Sequence, residues 1–354
     1  MVTNPLSTGS GFFIFGGILL NPDKPFLSVE QLIFRLKENY GLMITDEEIA
    51  KNALFRFSYY DLINGYQDVT LENGKFKKNI SIEYLYMFYL FDKEFQNIIF
   101  KQSMMIENYF KNILAYYVSE NCGVHIDDYL NPKYYSPSHS GVNFSALRAN
   151  ILNYNIYGDG AKQQPTKHYL KKHNHVPAWI LFKNIDFGKS INLFTLLKNP
   201  MKTNIANHLL PYDLSSTIKM EFLINALNII RRFRNKIAHN LKFVTYRACG
   251  NSLAPKTLTL LLPNFIYGKA EQNSKIGRND IYSVILAMIC LLQNDKYLTA
   301  KFILELNSHI SVYNTDSENE AVKPFLFDEY SIITGLPQDL SFKLNEFHNY
   351  LLTK

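Results

Sequence analysis

The stretch RRFRNKIAHN, residues 231–240, puts three arginines, one lysine and one histidine within a single short segment. Each type has a use in phosphate chemistry. Histidine is the side chain best suited to moving protons near neutral pH. Arginine offers a planar fork of donors that fits phosphate oxygens. Asparagine can orient an imidazole or bind a nucleotide oxygen. Arg234, Asn235 and His239 are therefore candidate catalytic residues. With RNA as substrate, the 2′-hydroxyl beside the scissile phosphate can serve as the attacking group, and that route has no strict need of a metal. No carboxylate cluster suited to holding a metal is legible, so no metal and no cofactor are expected. Arg and His at this spacing also occur by chance, and an ordinary charged helical turn is the plainer alternative.

The elements that carry these residues set their geometry. On a helix, Phe222, Ala226, Ile229, Ile230, Phe233, Ile237 and Leu241 form one apolar stripe. Arg231, Asn235 and His239 form a second, polar stripe. Arg234 lies about 140° around the helix from His239, at roughly 100° per residue. It borders the apolar stripe, where its stem can pack while its guanidinium reaches a cleft. A straight helix is thus an awkward active site, and a kink, a reaching arginine or a second copy of the chain must complete it.

Charge along the 354 residues is unevenly distributed. Residues 160–270 carry 17 Lys and Arg against 3 Asp and Glu, whereas residues 1–159 carry 13 against 17 and residues 271–354 carry 7 against 11. Segregation of this kind is a footprint for polyanion binding. The alternative is a basic surface paired with acidic segments of the same chain. Candidate RNA-binding residues are Lys167, His168, Lys171 and Lys172 in KHYLKKHNH, with Arg231, Arg232, Lys236, Lys242 and Arg247 in and after the motif. As a metal site KHYLKKHNH lacks a convincing spacing and any Cys or carboxylate. The aromatics of FSYYDLINGY (57–66) can stack on unpaired bases, but at helical spacing they read first as core.

Hydrophobic residues make up 47% of the chain, enough for a full core. Cys122, Cys249 and Cys290 lie far apart, which argues against a zinc knuckle or a disulfide scaffold and fits a reducing cytoplasm. FFIFGGILL (12–20) and IYSVILAMICLL (281–292) are shorter than the ~20 residues a bilayer requires, so both are expected to be buried core. No membrane association is expected.

The apolar spacing predicts helices nearly throughout. LSVEQLIFRLKENYG has a capping-box pair in Ser28 and Gln31, with Leu32, Ile33 and Leu36 on one face. Thr45 and Glu48 repeat the device. Residues 80–123 read as one long helix or two parted by a kink. Residues 131–175, rich in Pro and Gly, read as a loop-rich insertion with two short helices. Helix resumes over 177–197, with Gly188 inside it or between two pieces, and again over 215–241. KTLTLLLPNF (256–265) reads as a short strand or an extended connector. The expected division is an N-terminal helical region (1–79), a helical domain (80–295) and a C-terminal helical extension (296–354).

RNKIAHN resembles the Arg-x4–6-His signature of HEPN domains, with Arg234, Asn235 and His239 at its positions. Residues 24–66 look like the opening of AbiD/AbiF-type abortive-infection proteins: a Lys-Pro, an LS-x-x-Q helix, a GL-x-I element, and a YY-x-L-x-x-GY element matched by Tyr59, Tyr60, Leu62, Gly65 and Tyr66. IENYFKNILAYYVSEN (106–121) resembles the family's first HEPN helix, and VPAWILFKNIDFGKSINLF (176–194) its PxW…FG segment. The likeness runs over residues 24–250. The chain departs from the family after the histidine, where Asn240 stands in place of a common second His.

The resemblance implies a mainly α, HEPN-type helical bundle and a cytoplasmic, metal-independent endoribonuclease of phage defence or toxin type. It implies a homodimer with two motifs facing a shared cleft, because this chain has one good motif. It also implies RNA partners: a substrate, and a structured noncoding RNA that restrains the protein. Two rivals stand beside this expectation. One is a non-catalytic RNA-binding protein on the same scaffold; the other is a protein-partner module in defence signalling. Glu107 is either a partner for Arg234 or a surface residue.

Overall fold

A computed structural model describes residues 14–15, 18–19, 24–78, 80–312 and 326–353. The protein is mainly α. Among the described residues, paired strands are confined to three two-stranded antiparallel ribbons: Ile14–Phe15 with Ile18–Leu19, Leu71–Glu72 with Lys75–Phe76, and Ser138–His139 with Val142–Asn143. The burial expected of the side chains of residues 12–20 falls outside the described residues.

The N-terminal region forms helices α1 (Val29–Glu38), α2 (Glu47–Phe57) and α3 (Gln67–Thr70), with a π-turn at Tyr60–Asn64. Ser28 caps α1 as its sequence predicts. Its hydroxyl accepts from the Gln31 amide while the Gln31 side chain accepts from the Ser28 amide at 2.8 Å. Ile33 and Leu36 are buried by this helix and Leu32 partly so. For α2 the expected cap is off by one residue. Asp46, not Thr45, accepts the Glu48 and Ile49 amides, at 2.8 and 3.1 Å, and Thr45 instead donates toward Glu83. A carboxylate is the better partner for the positive end of a helix.

The region 80–123 is one helix, α4 (Ile82–Cys122), 41 residues long, capped by Ser81 and stopped at Gly123, whose φ of 109° suits glycine. It forms the spine of the bundle. Its apolar residues bury around most of its circumference, and α2 and the helices Ala178–Asn184, Met201–Leu209, Ser216–Ala238, Ile281–Leu292 and Lys296–Val312 all pack against it.

Next come α5 (Ile126–Tyr129), α6 (Phe144–Ile151) and α7 (Thr166–Lys172). The last two are the short helices expected in the insertion, linked by a π-turn at Leu152–Ile156 and a 3-10 turn at Asp159–Lys162. Buried tyrosines fix this region: the Tyr129 hydroxyl donates to the Val176 carbonyl at 2.7 Å and the Tyr135 hydroxyl to the Tyr129 carbonyl at 2.8 Å. The run 177–197 divides into α8 (Ala178–Asn184) and α9 (Phe187–Leu196). The break falls at Ile185–Asp186, because Asp186 caps α9 by accepting from the Lys189 amide at 2.8 Å; Gly188 lies inside the helix.

Helices α10 (Met201–Leu209) and α11 (Ser216–Ala238) follow. The strand or extended connector expected within 256–265 is instead opened by a helix, α12 (Pro255–Leu261). Proline at the first helical position is pre-set for a helix, and Leu258 and Leu261, three apart, are both buried. After α13 (Lys269–Asn273), every residue of α14 (Ile281–Leu292) is buried, as its apolar run predicts. Helices α15 (Lys296–Val312), α16 (Leu326–Thr334) and α17 (Leu340–Thr353) complete the chain. One apolar core takes in residues from Ile33 to Leu351. No helix among the described residues is long and apolar enough to cross a membrane.

Candidate functional site

The motif ends α11. Phe222, Ala226, Ile229, Ile230 and Phe233 are buried along the expected stripe, and Ile237 is half-buried against the core. Leu241 leaves the stripe and is 47% exposed. The cause is local. The helix stops at Ala238, His239 is its C-cap, and Asn240 takes a left-handed φ of 50°. The Asn240 amide then bonds the Ile237 carbonyl and the Leu241 amide bonds the Lys236 carbonyl, each at 3.0 Å. This is a Schellman closure, with Asn where glycine is commonest.

Arg234 is held from two sides. Its Nη1 donates to the Asn235 Oδ1 at 3.1 Å, and its Nη2 lies 3.6 Å from the Glu107 Oε2 on α4. Its guanidinium also lies over the Phe100 ring, 5.8 Å from the centroid. Glu107 is therefore a partner of the motif. It also takes Lys111 Nζ at 2.6 Å, and the same ammonium donates to the Ile185 carbonyl at 2.6 Å. These groups, with Lys183, Asp186 and Lys189, line a surface cleft of about 530 Å³. Four cations face two carboxylates there, an excess suited to an anion.

His239 sits apart. It is exposed, and its ring makes no hydrogen bond with any described residue. The turn that follows it is fixed instead. Lys93 Nζ on α4 donates to the Asn240 Oδ1 at 2.7 Å, and Lys242 pairs with Asp68 at 2.8 Å, tying the turn to the N-terminal region. The single chain thus joins Arg234 to Asn235 and presents His239 alone, from an anchored turn.

The model of the Abi-like protein family matches residues 52–244, more than half of the chain. The chain belongs to this abortive-infection family. No curated protein and no solved structure matches it. The matched span takes in the Tyr59–Tyr66 element, α4 and the whole motif, and leaves out residues 24–51 and 245–250 of the expected likeness.

In this Abi-like chain the candidate RNA-binding residues fall into two groups. Lys167, His168, Lys171 and Lys172 are exposed on α7, and none has a carboxylate partner among the described residues. Asn184, on the rim of the Arg234 cleft, donates to Thr166 Oγ1 at 2.9 Å and so anchors the start of α7. The other group is engaged within the fold. Arg231 packs so close to Gly188 that a Cβ there would stand 3.4 Å from its Nη1. Burial, and then Arg232, hold its guanidinium below the usual arginine range. Arg232 donates to the Asn251 side chain at 3.1 Å, Lys236 lies over the Tyr246 ring at 4.8 Å, Lys242 holds Asp68, and Arg247 donates to the Tyr246 carbonyl at 3.0 Å.

Two cations near the motif carry no signal of their own in the sequence: Lys93 and Lys183. Each comes near the motif only through packing. Glu107 with Lys111 and Asp186 with Lys189 are different, because an acid four or three residues before a Lys on a helix is a legible pair.

Proposed function

We propose that this Abi-like chain is an abortive-infection endoribonuclease of HEPN type that binds RNA over its basic segment and cuts it at the end of α11. The observation that carries the reading is the Arg234–Asn235 pair at a cation-rich cleft, with an exposed His239 on the anchored turn of the same helix. In the reaction, the RNA 2′-oxygen bonds to the adjacent phosphorus while the bond from phosphorus to the 5′-oxygen breaks. The products carry a 2′,3′-cyclic phosphate and a 5′-hydroxyl. His239 takes the proton of the 2′-hydroxyl or gives one to the leaving oxygen. Arg234 neutralises the charge that develops on the phosphate oxygens. Asn235 holds the guanidinium in place. A second copy of the chain, with its motif facing the first, would bring a histidine to each Arg234. A structured noncoding RNA would restrain the enzyme by covering the same basic surface, α7 included.

A second reading, RNA binding without cleavage, is favoured by the His239 ring having no orienting partner among the described residues. Labelled RNA and tRNA, incubated with the protein in the presence of a chelator, separate the two. The expected result is cleavage with cyclic phosphate ends, reduced at least ~100-fold in His239→Ala with RNA binding kept. Equal cleavage by both proteins removes the motif from the mechanism. RNA bound in a salt-dependent way but never cut favours the second reading. No RNA binding at all leaves the protein-partner module.

A further inference from the structure

We infer that the cleft beside Arg234 is a nucleotide subsite, which holds the unpaired nucleotide next to the scissile phosphate with its base on Tyr154 and its phosphate on Lys183 and Lys189. This rests on the RNA reading above and gives that reading a defined place for the substrate.

The charges of the cleft are not equally available. Glu107 and Lys111 neutralise each other, and Lys111 is further fixed by the Ile185 carbonyl. Lys183 donates to a neutral partner, the Asn108 Oδ1, at 2.6 Å, and has no carboxylate within ion-pair distance among the described residues. Lys189 pairs with Asp186 at 3.1 Å across a single helical turn. The carboxylate side of this pair is exposed and the lysine half-buried, and a partly exposed pair within one turn is weak enough to yield to phosphate. The volume, about 530 Å³, is in the range of small-molecule sites and suits one nucleotide rather than a duplex.

Beside Lys189 the wall is aromatic and built. Tyr154 is 45% exposed, and Lys189 Nζ already stands 5.5 Å from its ring centroid, so the ring presents a face toward the cleft. Two glycines crowd the backbone that carries Tyr154, and one of them also meets its ring. A Cβ on Gly158 would stand 2.5 Å from the Asn153 carbonyl oxygen, and one on Gly160 would stand 3.0 Å from Tyr154 Cδ1. Only glycine lets the chain fold back this closely on the Asn153–Tyr154 backbone. Asn155, the next residue, is buried and donates to the Asn184 carbonyl at 3.1 Å, which ties the aromatic wall to the lysine wall. The side-chain amides of Asn150 and Gln163 also line the cleft and make no hydrogen bond with any described residue. Free amides can address the edges of a base, and an aromatic face can stack on it. An acidic peptide would use the lysines but has no need of the ring.

The test is binding of a fluorescent single-stranded 2′-O-methyl RNA, which lacks the attacking hydroxyl and stays intact. Tyr154→Ala is expected to weaken binding about tenfold, the scale of one lost base stack, while Tyr154→Phe binds as wild type. On an oligomer of abasic residues, Tyr154→Ala and wild type should bind alike, which separates loss of stacking from damage to the fold. If wild type binds RNA and Tyr154→Ala binds it equally well, the subsite is refuted and the RNA reading stands. If wild type binds no RNA, the RNA reading fails and the subsite with it.

Discussion

Two carboxylates on the same helix have opposite surroundings. Asp92 and Glu107 both stand on α4, about four turns apart. Asp92 is 3% exposed and surrounded by neutral donors: the Tyr66 and Tyr330 hydroxyls at 2.9 Å each and the Gln96 amide at 2.8 Å. It joins the N-terminal region, the spine and the C-terminal extension in one knot. Glu107, at the rim of a cleft, faces two cations, Lys111 and Arg234. A carboxylate whose lone pairs are filled by buried hydroxyls has no role left but to hold elements together. One that holds an arginine at a surface cleft sets how that arginine meets an anion. The spine therefore meets the motif helix through Glu107 at Arg234 and through Lys93 at Asn240, while Asp92, beside Lys93, secures the elements around that second grip.

The largest effect expected is on stability. Asp92→Ala strands two tyrosine hydroxyls and an amide in the core, at ~1–3 kcal/mol for each buried group left unpaired, or about 4 kcal/mol in all. Denaturant melts measure the loss, and cleavage per folded molecule should stay near wild type. A variant that melts normally yet stops cutting would break the comparison. Arg234→Ala should act the other way, with stability changed by under ~1 kcal/mol and cleavage reduced ~100-fold. Parallel melts and RNA-cleavage rates read both.

Smaller effects sharpen the contrast. Lys93→Met removes the grip on Asn240 and frees the turn after His239, so cleavage should fall about tenfold, as a small misplacement of a reacting group costs up to ~100-fold. RNA affinity should hardly change, since Lys93 lines a separate, far smaller pocket. If affinity and cleavage fall together, Lys93 contacts RNA itself. Glu107→Gln leaves Arg234 and Lys111 without their counter-charge and should tighten RNA binding a few-fold at low salt, an effect that fades as salt rises. Weaker binding in a titration would show that the carboxylate orients the arginine rather than masking it.

The smallest effect is on pH. Burial pushes the Asp92 carboxyl above its ordinary range, outweighing its hydrogen bonds and the nearby Lys93. The folded state thus holds this proton more tightly than the unfolded chain. Its contribution is full below the ordinary carboxylate value and is lost as pH rises through the folded one. The stability of wild type relative to Asp92→Asn should therefore decline from pH 4 to pH 7, as melts of both proteins at each pH will show. A difference that grows with pH would mean that the ionised form is the favoured one.

Much of this architecture was legible because its causes are local. The Ser28–Gln31 cap, the apolar run of α14 and the stripe of α11 each lie within a few turns of helix. Misreadings came where neighbouring signals compete. Thr45 and Asp46 both suit a cap, and the leucines of 256–265 suit a strand or a helix until packing selects Leu258 and Leu261. The long-range contacts had no signal at all: Tyr330 is 238 residues from Asp92, and Asn240 is 147 from Lys93.

The sequence carries the mainly helical fold, the uneven charge and the Arg234–Asn235–His239 motif, since helical periodicity, capping and charge are properties of neighbours along the chain. It also marked the angular problem, with Arg234 and His239 pointing to different sides of one helix. How that problem is handled depends on contacts between segments far apart in the chain. Arg234 turns toward Asn235 and Glu107 at the cleft, and a Schellman turn held by Lys93 carries the chain away from His239. The physical reason is that a side chain's partners are chosen by the packing of distant helices against the spine, which no local pattern encodes.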